Sequence, residues 1–164
     1  MAAGTRASAS GEAAASGDTP IQDDPVWGDY VVEAQAGFLL RRAHQRHAAL
    51  FQDMMGAREL TPTQFTALIK IIGCGTVTQN RLGRLTAMDP ATIQGVVRRL
   101  AARGLVARAS DPEDRRTHVL RATPAGLELA REAVACATAI TAATLAPLAP
   151  EERPLFLSLL RKLI

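Results

Sequence analysis

The sequence predicts a mainly α-helical fold that contains one short β-hairpin. Aromatic residues make up only 4% of the 164 residues and hydrophobic residues 48%, so the core must be aliphatic, which favours helices over a sandwich or barrel. Pairs of a capping residue followed by proline recur along the chain and mark helix starts. A single stretch between residues 105 and 122 can form two short strands around an Asp-Pro turn. The length suits one domain with a sizeable core.

The charge of the chain suits a partner that carries phosphate groups. The formal net charge is +3, the isoelectric point is about 9.4, and arginine is used far more than lysine. No apolar run is long enough to span a membrane, and the N-terminus lacks the apolar stretch of a signal peptide. We therefore expect a cytoplasmic protein without a membrane partner.

The cysteines and the other reactive side chains predict no catalytic or metal site. Cys74 and Cys136 are too few for a disulfide framework, and no cysteine–histidine spacing suggests zinc. Two buried small side chains are the simpler interpretation, and redox sensing by Cys74 is the alternative. The sequence contains no phosphate-binding loop or nucleophile–base motif, so we expect neither an enzyme nor a bound cofactor.

The N-terminal third of the chain predicts a disordered tail and one long helix. Residues 1–24 are small and polar and cannot bury enough surface to offset their ordering entropy. From Pro25 to Met55 we predict a helix whose apolar positions recur at spacings of three and four: Ala36, Leu40, Ala43, Leu50, Phe51 and Met54. His47 falls on this stripe and His44 at its edge. These histidines are either satisfied core residues or polar anchors in the wall of a ligand pocket.

The next two helices have clear start signals. Thr61 and Pro62 begin a helix that ends at Gly73 or Gly75, with Phe65, Leu68, Ile69 and Ile72 facing inward. Thr78 caps a short third helix whose inner residues are Leu82 and Leu85.

A fourth helix has the strongest pattern in the sequence. Asp89 and Pro90 begin it and Gly104 ends it, and its buried stripe is Ile93, Val96, Val97 and Leu100. The outer face carries Ala91, Gly95, Arg98 and Ala102, with Thr92, Gln94 and Arg99 beside it. A short helix, a turn and such a second helix form the unit that places a recognition helix in a DNA major groove. Gly95 is either a neutral substitution or a position where the helix approaches DNA closely.

The remaining residues predict a hairpin and two C-terminal helices. Leu105–Ala109 and Thr117–Ala122 pair around a charged turn, and Thr123 with Pro124 begins a helix that runs to Thr144. A last helix from Pro150 carries Phe156, Leu159, Leu160 and Leu163 along one face. The helices at both ends of the chain have more apolar surface than one small winged domain needs, which predicts a homodimer.

Residues 78–126 resemble the winged helix-turn-helix core of the MarR family of bacterial transcriptional regulators. The most specific element is the wing pattern of Asp111, Asp114, Arg115 and Arg116, although Glu113 stands where many members carry arginine. Gly104-Leu105-Val106 and Thr123-Pro124-Ala125-Gly126 also match. The resemblance implies one domain over residues 25–164, with a winged helix-turn-helix core at 61–123, a β-hairpin wing, and flanking dimerisation helices at 25–60 and 124–164.

The resemblance also implies a role for each residue of the core. Members of the family are homodimers that bind pseudo-palindromic operators in double-stranded DNA. Thr92, Gln94 and Arg98 are then the candidates for base-edge contacts, with Gly95 on the same DNA-facing side, and Arg115, with Arg116 beside it, is expected to enter the minor groove. Asp111 and Asp114 are expected to orient the wing arginines. The expected phosphate contacts are Thr78, Gln79, Arg81 and Arg99.

Family members commonly repress transcription until a small molecule, often aromatic or phenolic, binds between the dimerisation helices and the DNA-binding lobe. By resemblance, Arg41, His44 and His47 are candidates to bind an anionic or acyl-thioester effector. The stretch from Gly37 to Phe51 is similar to a subgroup that regulates aromatic-acid degradation, some members of which sense acyl-CoA thioesters. The sequence thus predicts a ligand-responsive dimeric repressor. The alternatives are a winged-helix protein-interaction module without DNA and a redox-sensing regulator that uses Cys74.

Overall fold

The computed structural model describes residues 28–110 and 118–164, so the predicted tail at 1–24 and the wing turn lie outside the described residues. The chain divides into two units between Leu39 and Leu40. In the first, the helix predicted to begin at Pro25 is wrong over residues 28–35, which form a turn and a 3-10 segment at Val32–Ala34. Gln35 is extended (φ −76°, ψ 137°), which interrupts the helical hydrogen-bond ladder before the first α-helix.

The described elements are six α-helices and three short strands. In chain order they are α1 (Ala36–Met55), α2 (Pro62–Cys74), β1 (Val77–Thr78), α3 (Gln79–Thr86), α4 (Pro90–Ala102), β2 (Val106–Ser110), β3 (His118–Ala122), α5 (Pro124–Leu145) and α6 (Glu152–Arg161). The strands form an antiparallel sheet in the order β1-β3-β2. The predicted mainly helical fold with a hairpin is confirmed. No described helix is both long and apolar enough to cross a lipid bilayer.

Strand β1 was not predicted from the sequence. Val77 pairs with Leu120 and Thr78 pairs with Val119, which adds a third strand to the hairpin. Thr78 is also the N-cap of α3. A two-residue strand has too few alternating positions to show a period, and its partner is about forty residues away in the chain. The sheet therefore ties the wing to the start of α3.

The core lies between α2, α3, α4 and the inner face of the sheet, and buried residues at the end of α1 and along α5 extend it. The predicted stripe of α4 is confirmed, since its four apolar residues are at most 2% exposed. In α2 the buried stripe centres on Leu68, with Ala67 and Ile71 beside it, whereas Phe65, Ile69 and Ile72 are half-buried. The predicted inward position of Leu85 is wrong: Leu82 and Gly83 define the buried side of α3, and Leu85 is 40% exposed. Leu163 lies beyond the end of α6.

The junction between α4, the wing and α5 is held by a set of backbone contacts. Gly104 has φ 68° after α4, and the Leu105 amide donates to the Leu100 carbonyl (3.0 Å) in the pattern of a glycine-terminated helix. The Thr123 hydroxyl donates to the Gly104 carbonyl (2.6 Å) and accepts from the Gly126 amide (3.1 Å). A Cβ on Gly126 would lie 2.1 Å from the Leu105 carbonyl oxygen. Only glycine allows this close approach of α5 to the wing.

Candidate nucleic-acid interface and ligand cavity

Helices α3 and α4 are joined by a tight turn. Ala87 adopts the left-handed conformation (φ 51°), and the Met88 amide donates to the Gly83 carbonyl (3.0 Å). A Cβ on Gly83 would lie 3.2 Å from the Met88 carbonyl oxygen, so glycine lets the two helices approach each other. The turn fixes the direction in which α4 leaves α3, as a helix-turn-helix requires.

The first turn of α4 is capped by Asp89. One carboxylate oxygen accepts from the Thr92 amide (2.9 Å) and the other accepts from the Thr92 hydroxyl (2.5 Å). These donors, the hydroxyl first, lower the pKa of Asp89 from its ordinary value of 3.8. Pro90 occupies the first helical position, where its missing N–H costs nothing. The start signal predicted from the sequence is therefore the start observed.

The structure places the predicted base contacts on one exposed side of α4. Thr92, Gln94 and Arg98 are exposed there, together with Arg99. Gly95 is half-buried because the Arg99 guanidinium folds over it, 3.7 Å from the position that a Cβ would occupy. This side therefore combines hydrogen-bonding groups and a positive charge with a position that has no side chain.

The predicted phosphate contacts surround the start of α3. The Thr78 hydroxyl accepts from the Arg81 amide (3.4 Å) and caps the helix. Its own hydrogen is not used in that bond, so the hydroxyl can still donate to an anion. Gln79 is half-buried and Arg81 is exposed. The cap thus gives Thr78 a structural role that is compatible with the predicted one.

The strands of the wing carry basic side chains that the sequence analysis did not single out. Asp111, Asp114, Arg115 and Arg116 lie outside the described residues. On strands β2 and β3, Arg108, His118 and Arg121 are exposed. Burial does not alternate strictly along either strand, since Ala107 and Arg108 are both exposed and Val119 and Leu120 are both buried, so a period of two gave no usable signal for these side chains.

The end of α4 is attached to the segment between α1 and α2. The Arg103 guanidinium donates to the carbonyls of Glu59 (2.5 Å) and Arg58 (3.0 Å). No sequence signal indicates such a contact, because the partners are 44 and 45 residues away and are backbone atoms. Arg103 therefore joins the recognition helix to the end of the helix that carries the predicted ligand residues.

A cavity of about 430 Å³ lies between α1, α5 and α6, and its lining is mostly apolar. Two of the three predicted ligand residues, His44 and His47, line it. Arg41 does not, since it projects about 100° around the helix from Leu40, which does. The full lining is Leu40, Ala43, His44, His47, Thr141, Thr144, Leu145, Phe156, Leu157 and Leu160.

The side chain of Thr144 orients His47. The Thr144 hydroxyl lies 2.8 Å from the Ile140 carbonyl oxygen and 3.0 Å from His47 Nδ1, so it joins the imidazole to the end of α5. This contact leaves Nε2 as the ring nitrogen that does not face Thr144. Beside it, the Arg46 guanidinium donates to the Thr144 carbonyl (2.8 Å) and the Ala143 carbonyl (3.2 Å) at the end of α5. Arg46 therefore attaches α1 to the end of α5.

Both cysteines are half-buried free thiols. The Cys136 thiol donates to the Met54 carbonyl (3.0 Å), which gives it a structural partner between α5 and α1. Cys74 ends α2 beside a shallow depression that Thr76 and Arg121 also line.

Comparison with known proteins identifies the family. Residues 59–117 match the model of the MarR family. The transcriptional repressor NicR of Pseudomonas putida is 40% identical over 145 residues, which cover 88% of this chain and 89% of NicR. The chain belongs to the MarR family. It is therefore a DNA-binding transcriptional regulator and not an enzyme, and the predictions of the family and of the winged helix-turn-helix fold are confirmed.

Two solved structures of MarR-like regulators share the fold along most of the chain. BpsR of Bordetella bronchiseptica, whose DNA binding is regulated by 6-hydroxynicotinic acid, has a TM-score of 0.78 at 42% identity, over 83% of this chain and 97% of BpsR. PcaV of Streptomyces coelicolor, solved in complex with its natural ligand, has a TM-score of 0.76 at 32% identity, over 83% of this chain and 96% of PcaV.

Proposed function

We propose that this MarR-family protein is a homodimeric repressor that leaves its operator when a small aromatic acid binds beside α1. The observation that carries the proposal is the exposed side of α4, where hydrogen-bonding side chains, an arginine and a glycine lie together on a helix capped at both ends. The cavity lined by His44 and His47, the similarity to the repressor NicR and the regulation of BpsR by 6-hydroxynicotinic acid support the second half of the proposal.

Each side chain of α4 has a task that suits its chemistry. Arg98 can pair with guanine and Gln94 with adenine in the major groove, and Gly95 lets the helix backbone approach the base edges. Thr78, Gln79, Arg81 and Arg99 bind phosphates and set the register. The wing residues Arg115 and Arg116 bind the minor groove, oriented by Asp111 and Asp114.

The cavity favours a single-ring hydroxylated acid as effector over its acyl-CoA thioester. Its volume of about 430 Å³ is near the lower end of small-molecule pockets, and the walls are apolar except for the two histidines and two threonines. His47 Nδ1 faces the Thr144 hydroxyl, so Nε2 is the ring nitrogen available to a hydroxyl or carboxylate group of the ligand. His44 supplies the other polar partner on the same helix, whereas Arg41 lies outside the lining.

A second copy of the chain would cover the apolar side chains that the single chain leaves exposed. On α6, Leu155 is 60%, Phe156 40% and Leu159 51% exposed, and on α5 Val134 is 47% exposed. Such a patch on a protein of this size is typical of a protein interface. The dimer sets the distance between two copies of α4, so an effector that prefers a differently spaced dimer weakens operator binding.

Operator binding by single-arginine variants tests the DNA half of the proposal. We would measure fluorescence anisotropy on duplexes from the DNA flanking the gene, at several salt concentrations. Arg98→Ala should cost about 1–3 kcal/mol and relax sequence preference, while Arg99→Ala should weaken all sequences alike and reduce the salt slope by about 1. Arg131→Ala is the matched control, because the partner of Arg131 among the described residues is the exposed Glu128, one turn earlier on α5. Wild-type affinity in both α4 variants would contradict the proposal.

Ligand release tests the other half. Single-ring hydroxylated acids, 6-hydroxynicotinic acid first, are titrated into the protein–DNA complex. His47→Ala should require at least tenfold more acid for release, and Thr144→Val should reproduce part of that loss by freeing the imidazole. Light scattering on the same variants reports the oligomeric state. Variants that become monomeric would identify the cavity as a dimer contact, and an unchanged response in dimeric variants would refute the assignment of His47.

A further inference from the structure

The start of α4 fixes the hydroxyl hydrogen of Thr92 in one direction. The hydroxyl lies 2.5 Å from one carboxylate oxygen of Asp89 while the Thr92 amide donates to the other. An ionised carboxylate can only accept, and the same two donors keep the pKa of Asp89 below its ordinary value, so it is ionised at neutral pH. A hydroxyl group has one hydrogen. Thr92 therefore presents lone pairs and a methyl group to anything that approaches α4 from outside.

This direction decides which DNA groups Thr92 can contact. In the major groove, adenine N6 and cytosine N4 are hydrogen-bond donors, whereas guanine O6 and N7 and thymine O4 are acceptors. Phosphate oxygens are acceptors as well. A threonine whose hydrogen is already used can accept from the two amino groups, and it can donate neither to a keto group nor to a phosphate.

We propose that Asp89 is a positioning residue that makes Thr92 an obligate hydrogen-bond acceptor toward DNA, so that α4 selects an adenine or a cytosine at one position of each half-site. The inference rests on the proposed function, in which α4 lies in the major groove. Asp89 itself touches no base. It acts through the orientation of the Thr92 hydroxyl, and the cap that it forms on α4 is a separate role.

Asp89→Asn separates these two roles. Asparagine is as good an N-cap as aspartate, and its carbonyl oxygen can still accept from the Thr92 amide. Its amide nitrogen, however, is a donor, so the Thr92 hydroxyl must accept from it and its hydrogen becomes free to point outward. The variant keeps the helix start and reverses the hydrogen bond that Thr92 offers to DNA.

The test is selection from DNA duplexes with a randomised central segment, sequenced before and after binding to the full-length protein. The parent should enrich adenine or cytosine at one half-site position by about three- to tenfold, and Thr92→Val should flatten that position alone. Asp89→Asn should change the preferred base at that same position to guanine or thymine. The double variant Asp89→Asn, Thr92→Val should lose this new preference. Asp89→Asn removes a negative charge and should raise the affinity for every DNA sequence equally. Because the preference is measured between bases for one variant, this uniform gain cancels.

The outcomes separate the inference from the proposed function. A parent that enriches no sequence contradicts the proposed function. A parent that enriches an operator, with no position flattened by Thr92→Val, contradicts only the base contact of Thr92. If Thr92→Val flattens a position whose preference Asp89→Asn leaves unchanged, the orienting role of Asp89 is refuted. Circular dichroism and thermal unfolding of each variant confirm that α4 is retained.

Discussion

Replacing Gly95 with alanine should change stability and DNA binding in opposite directions. Gly95 lies in the middle of α4, where glycine costs about 1 kcal/mol relative to alanine. A Cβ there would meet only the Arg99 guanidinium, with its nearest atoms at 3.7 and 3.8 Å, which is ordinary van der Waals contact with a flexible side chain. Nothing in the packing of the described chain therefore requires glycine. We expect Gly95→Ala to raise the free energy of unfolding by about 1 kcal/mol, or Tm by roughly 2–4 °C.

The same methyl group should weaken operator binding. If glycine lets α4 sit deep in the major groove, the added carbon occupies space that the base edges need. Forcing one extra methyl group into a packed interface costs about 1–3 kcal/mol, a loss of roughly 5- to 150-fold in affinity. Because the folded state is stabilised, this loss cannot be attributed to a smaller population of folded protein.

Gly73→Ala is the matched control. Gly73 is exposed in the last turn of α2, and a Cβ there would meet nothing within 4 Å. This variant should gain a smaller amount of stability and keep its DNA affinity. Urea unfolding and fluorescence anisotropy on one operator duplex measure both quantities for both variants. A more stable Gly95→Ala protein with unchanged affinity would show that this glycine is neutral, and a less stable one would refute our account of its surroundings.

Three further predictions follow from other parts of the structure. Gly126→Ala should destabilise the protein by about 3 kcal/mol or more, measured by urea unfolding, because the new Cβ would lie 2.1 Å from the Leu105 carbonyl oxygen; a mild effect would mean that α5 can move away from the wing. Since the Thr92 donors lower the pKa of Asp89 from 3.8, its contribution to stability is present above that pH and is lost as pH falls below it. Acid unfolding of Asp89→Asn should therefore lack this component of the pH dependence, and an identical acid profile would count against the cap. Cys74→Ser should keep both DNA binding and its release by aromatic acid, and loss of a peroxide response in this variant alone would favour the redox alternative.

Local chemistry made the recognition helix predictable from the sequence. The cap of α4 needs only Asp89, Pro90 and Thr92, which are neighbours in the chain, and its buried stripe repeats with the helical period. The same reasoning placed the caps at Thr61 and Thr123 correctly. It failed at the start of α1, where the apolar residues before Ala36 continue the pattern although the backbone at Gln35 is extended.

Contacts between distant segments could not be predicted in this way. Arg46 and Arg103 look like surface charges in the sequence, yet each donates to two backbone carbonyls on another segment. Any residue has a carbonyl, so composition gives no sign of which one an arginine will reach. The partner of His47 Nδ1 is likewise distant in sequence, since Thr144 is 97 residues away.

These distant contacts restrict how an effector can act on DNA binding. The start of α4 is held by Asp89 and by the turn to α3, its inner face is buried, and its end is held by Arg103 on the carbonyls that follow α1. Bending α4 would break several of these contacts at once. If the whole segment from α2 to β3 moves as one rigid unit, the contacts within it are kept. His47 lies near the middle of α1, and the carbonyls that Arg103 binds follow the end of the same helix. If ligand binding tilts α1, the Arg103 contacts would therefore rotate α4 together with the rest of the core between α2 and β3. We therefore expect the effector to alter the spacing of two intact recognition helices, and not the conformation of either one.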